Sequence, residues 1–160
     1  MSEIITHTPI WVFLLFLFLL FLGLSQTKDR NVSFKRVIVL PIIMLLFSFI
    51  GVISTFGINL VSLSTYLICL FLSIYLGILL KLPRNATFIK EEKVFHIKGS
   101  FIPFFLIMAI FFTKYFVGVV TARELAFISS GYFILIVSSL YGFFSGIFFG
   151  RIFVLKKKMI

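Results

Sequence analysis

Cysteine is nearly absent: Cys69 stands alone. One thiol excludes an intramolecular disulfide, a Cys-x-x-Cys redox pair and a thiolate metal cluster, and within its apolar run Cys69 reads as a small buried hydrophobe. Acidic residues are almost as scarce. Glu3, Asp29, Glu91, Glu92 and Glu124 are the complete set, and none lies in a long apolar run, so no buried ion pair and no carboxylate relay across a membrane is encoded. Histidine occurs only as His7 and His96. With no His/Asp/Glu cluster and no serine elbow, the chain offers no nucleophile, base or metal constellation. We therefore expect a protein that is not an enzyme and has no cofactor.

Hydrophobic residues take up the space left by charge. They make up 61% of the 160 residues, with 24 phenylalanines, and only 12% are charged; a soluble domain carries roughly 45–50% apolar and about 25% charged residues. Backbone groups in lipid must be satisfied within their own segment, so runs near the ~20 residues that cross ~30 Å of hydrocarbon are helices. "FLLFLFLLFLGL" does not alternate, which excludes a transmembrane barrel. Five runs qualify, at about 8–25, 37–57, 60–80, 101–121 and 125–153. They predict an all-α membrane protein, a single integral membrane domain over 1–160. Pro41 is placed near the first turn of the second helix, where a missing N–H costs least. The first run is preceded by Glu3 and His7 rather than lysine or arginine and lacks a small-x-small site after it, so it reads as an uncleaved helix.

Basic residues set the orientation. Of the 15, all but Lys114 and Arg123 fall in the first loop, the third loop or the tail. The positive-inside rule then places the N-terminus outside and the C-terminus in the cytoplasm. This also explains most of the +10 net charge without a nucleic-acid partner; the bilayer is the expected partner. In the third loop, "TFIK" and "VFHIK" flank Glu91-Glu92, the pattern of a small cytoplasmic β-hairpin between helices three and four. Arg151, near the cytoplasmic end of helix five, is expected to snorkel into headgroups.

Lys114 interrupts "IPFFLIMAIFFTKYFVGVV" roughly 20 Å along the fourth helix. An intramembrane ionisable residue is a functional candidate. Lys114, Gly118 and Thr121 follow one-face spacing, and Ser62, Tyr66, Cys69, Ser73 and Gly77 form a small-and-polar stripe on the third helix. Lys114, Tyr115, Tyr66, Ser62, Thr121 and His7 make up a candidate polar cluster in an outward-opening pocket, with Lys114 bonded to hydroxyls such as that of Tyr66. Snorkelling to the outer headgroups is the competing placement. On the fifth helix, Ser138, Gly142, Gly146 and Gly150 recur every four residues, a close-packing face that serves either a homo-oligomer or another helix of the same chain.

"HTPIWVFLLFLFLLFLGLSQTKDRNV", "GSFIPFFLIMAIFFTKYFVGV" and "SGIFFGR" together resemble a family of small bacterial inner-membrane proteins known as a domain of unknown function. The resemblance implies a bacterial inner-membrane location and several helices, with no assigned activity. Its motif positions here are His7, Thr8, Pro9, Trp11, Gln26, Arg30, Gly99, Ser100, Pro103, Lys114, Tyr115, Gly118, Gly150 and Arg151. The hairpin-then-helix layout is also distantly similar to CcdC-type proteins linked to cytochrome c maturation, although thiol pairs are missing. Three functions follow as expectations: an accessory or scaffold protein, including an accessory to cytochrome maturation; a small transporter or channel subunit using the Lys114 pocket; and, least supported by its residues, a membrane enzyme.

Overall fold

The computed structural model describes residues 9–83, 86–90 and 92–159. His7 and Thr8 lie outside the described residues. The helices are α1 (Ile10–Ser25), α2 (Phe34–Phe56), α3 (Leu60–Leu79), α4 (Phe101–Ala122) and α5 (Gly131–Lys157), with strands β1 (Arg30–Ser33), β2 (Ala86–Ile89) and β3 (Val94–Ile97). Helices α2 to α5 are each long and apolar enough to cross a membrane, and α1 is a shorter apolar helix. The chain thus has the composition and helix lengths of a multi-pass membrane protein.

Local chemistry explains the boundaries. Asn59 caps α3, its side chain accepting from Val61 N at 2.8 Å, and Ser100 caps α4 through Ile102 N at 3.2 Å. Between α2 and α3 the chain reverses at Gly57, whose φ of +66° is a conformation that disfavours a Cβ. Two boundaries differ from the sequence expectation. α2 begins at Phe34, so Pro41 lies two turns inside it and leaves the Val37 carbonyl without its usual helical donor. α5 begins only at Gly131, because Ala126–Ser129 forms a 3-10 turn and Ser130 caps the helix that follows.

The hairpin is also larger than expected. β3 is the centre of a three-stranded antiparallel sheet in the order β1-β3-β2, with Arg30 opposite Ile97 and Ser33 opposite Val94 on one side, and Ala86 opposite Ile97 on the other. The first loop is therefore stitched directly to the third. The tail joins them: Lys158 Nζ donates to the Ala86 carbonyl at 2.8 Å and to the Pro83 carbonyl at 3.4 Å, and Leu155 is buried with Ala86, Phe95 and Ile97. All three basic segments meet at one end of the helices.

α5 is the hub, packed along α3 and touching α2 and α4. A Cβ on Gly142 would collide with the Tyr66 carbonyl oxygen, one on Gly146 with that of Leu70, and one on Gly150 would lie 3.1 Å from that of Ile74. Glycines and carbonyls advance together in steps of four, so α3 and α5 run parallel. Their backbones approach as closely as small-xxx-small packing allows. The ladder is filled by this chain's own α3, and a homo-oligomer through it would have to displace that helix. α1 lies against α4, with the Phe16 and Phe111 ring centroids 5.3 Å apart, and leaves Ile10, Trp11, Leu14, Phe18 and Phe21 exposed, as lipid-facing side chains are.

Candidate functional site

Two polar regions interrupt the apolar interior. The first lies midway along the bundle, where Tyr66, 1% exposed, places its hydroxyl 3.1 Å from Ser48 Oγ. Ser145 Oγ donates to Ser48 Oγ at 2.6 Å, and Ser48 Oγ donates to the Leu45 carbonyl at 2.9 Å. Each hydroxyl finds a protein partner, which is the condition for burying it cheaply. The triad ties α2, α3 and α5 together.

Lys114 is not part of the triad. Its ammonium sits 4.2 Å from the centroid of the Phe47 ring, a cation–π contact worth about 0.5–2 kcal/mol depending on desolvation. Lys114 and Tyr66 do reach the same level of α2, but Phe47 and Ser48 are consecutive and point about 100° apart. Ser62 is buried and donates to the Asn59 carbonyl at 3.0 Å. Tyr115 stacks on Phe111 at 6.2 Å between centroids, and Thr121 and Gly118 are exposed. Among the described residues no hydrogen bond joins Lys114 to Tyr66, Ser62 or Thr121, so the structure does not assemble them into one pocket. Nearby, Ser138 Oγ and Tyr141 OH are buried with no hydrogen-bond partner among the described residues.

Tyr66→Phe should cost about 1 kcal/mol, since Ser48 keeps two other partners. Ser48→Ala should cost about 2 kcal/mol, because it strands the Ser145 hydroxyl and leaves Tyr66 OH only a long 3.5 Å bond to the Leu45 carbonyl. Thermal unfolding in detergent micelles checks the order.

The second region was missed as a site in the sequence. A cavity of about 220 Å³ opens at the cationic end, lined by Ser25 and Gln26 of the α1 terminus, Arg30 and Val32 of β1, Arg36, Val37, Leu40 and Pro41 of α2, Ile97 of β3, and Phe148 and Arg151 of α5. Arg30 Nη1 donates to the Ser25 carbonyl at 3.3 Å, and Nη2 donates to Gln26 Oε1. Burial pulls the Arg30 guanidinium below its ordinary pKa; arginine stays charged across the physiological range all the same. Arg151 does not snorkel. It is 8% exposed, and the charge that bears on it is the like charge of Arg30. Among the described residues no carboxylate lines the cavity. Asp29, the acid closest in sequence, instead accepts the Gly99 amide at 2.7 Å. The available signal was that Arg30 and Arg151 both occur in the family-like motifs; their convergence depends on β1, which the sequence did not reveal.

Apolar helices capped at one end by a cation-lined sheet define the class: a multi-pass helical membrane protein with a structured polar face. Within that class the chain belongs to DUF6622, a family of unknown function whose sequence profile matches residues 1–159. No curated protein and no solved structure matches it, and the similarity to CcdC-type proteins has no support beyond layout.

Proposed function

We propose that the protein is a non-enzymatic accessory or scaffold protein of the bacterial cytoplasmic membrane, crossing it five times with the N-terminus outside and the sheet-bearing end in the cytoplasm. One observation carries this reading. The three-stranded sheet gathers the first loop, the third loop and the tail into a single cationic platform, which makes these segments neighbours on the side that attracts positive charge. The fifth crossing rests on α1. The Gly23–Phe104 and Phe16–Phe111 contacts align α1 antiparallel to α4 and bring Ile10 to the level of Val117, about a turn and a half short of the α4 end.

Thiol accessibility tests this against the transporter reading. In a Cys69→Ala background, cysteines replacing Tyr66 and Lys114 should resist a membrane-impermeant maleimide from either side, because the triad is closed and Lys114 faces a ring. Rapid labelling at both positions would reveal a water path and support the transporter instead.

A further inference from the structure

We propose that the cavity between α1, β1, α2 and α5 binds a phosphate group through Arg151, Arg30 and Arg36. Burying a cation costs several kcal/mol unless an opposite charge accompanies it. Here the fold buries Arg151, sets Arg30 beside it and adds Arg36 at the rim, with no acid among the described residues of the lining. It also leaves the space open. Arg151, more than nine-tenths buried, has no hydrogen-bond acceptor among the described residues, while Arg30 is already braced by Ser25 and Gln26. A guanidinium fork matches two phosphate oxygens at once, and a phosphate would turn the Arg30–Arg151 repulsion into shared attraction.

Size and floor narrow the ligand further. At about 220 Å³ the cavity is smaller than the roughly 300–1,000 Å³ that takes a drug-sized molecule. It suits a phosphate with the beginning of its substituent. Val37, Leu40, Pro41 and Phe148 line the cavity beneath the arginines, so that substituent is apolar where it enters. A phospholipid headgroup and a soluble phosphate monoester share this chemistry. The proposal goes beyond the accessory role and does not depend on it, since it is tested on the purified chain irrespective of orientation.

The experiment uses the full chain in a non-ionic detergent and in nanodiscs. Inorganic phosphate and glycerol 3-phosphate are titrated in detergent, and nanodiscs of phosphatidylglycerol are compared with nanodiscs of phosphatidylcholine. Thermal stability is the readout, because a ligand that binds only the folded state raises the melting temperature. Native mass spectrometry follows retained lipid. Stabilisation by the soluble phosphates identifies a soluble ligand; stabilisation and lipid retention confined to phosphatidylglycerol identify a headgroup. In either case Arg36→Gln and Arg151→Gln should weaken the response by about tenfold or more in affinity, and Arg123→Gln, at the opposite end, should leave it unchanged. Should Arg151→Gln fail to fold, the exposed Arg36 decides the matter. An absence of response to every probe, or an Arg36→Gln response equal to that of the unaltered chain, would overturn the proposal.

Discussion

Gly146→Leu is expected to abolish the folded bundle. A Cβ alone at this position would overlap the Leu70 carbonyl and approach Ser73 Cβ to 2.6 Å, so α3 and α5 would have to separate along their shared length. Neither obstacle is the free end of a flexible side chain. Overpacking of a tight core costs about 1–3 kcal/mol and occasionally more, and backbone obstruction at the hub helix belongs at or above that upper figure. The same separation would pull Tyr66 on α3 away from the Ser48–Ser145 pair on α2 and α5 and open the hydroxyl triad, so the effects compound. Gly118 supplies the contrast: nothing lies within 4 Å of a Cβ there, and Gly118→Ala should change stability by less than about 0.5 kcal/mol. Size-exclusion profiles and melting curves of the two variants in detergent separate the outcomes. Equal behaviour would show that α3 and α5 do not pack through this ladder.

Gly99→Ala is expected to be nearly as damaging, in a different part of the molecule. Its Cβ would fall on the Thr27 carbonyl, at the point where the Gly99 amide meets Asp29 and the Ser100 amide donates to the Gln26 carbonyl at 3.1 Å. These bonds hold the α1 terminus against the start of α4. Displacing them moves Gln26, and with it the brace on Arg30. The expected loss is about 2–3 kcal/mol, with early protease cleavage between residues 26 and 33 as a local signature. Wild-type protease resistance in that segment would contradict the junction.

The helices were legible because lipid leaves a backbone no alternative, and length and apolar content suffice to find them. Azimuth was less legible. The sequence groups Lys114 and Tyr66 in one polar cluster, yet which face of α2 each meets depends on helix rotations that residue spacing does not contain. β1 was illegible for another reason: "RNVS" is short and polar, and its order comes from pairing with β3, more than sixty residues away. That pairing also hid the cavity, since Arg30 approaches Arg151 only once the first loop is held against the sheet. Ser130 could have marked the start of α5, being a capping residue directly before an apolar run.

The central claim is that three basic segments share one side of the membrane while the two short turns share the other. Single cysteines replacing the exposed Lys28, Ile58, Lys90, Glu124 and Lys157, each in the Cys69→Ala chain, can be treated with an impermeant maleimide in spheroplasts before and after lysis. Positions 58 and 124 should label before lysis, and positions 28, 90 and 157 only afterwards. Labelling of position 28, 90 or 157 together with position 58 before lysis would contradict the arrangement.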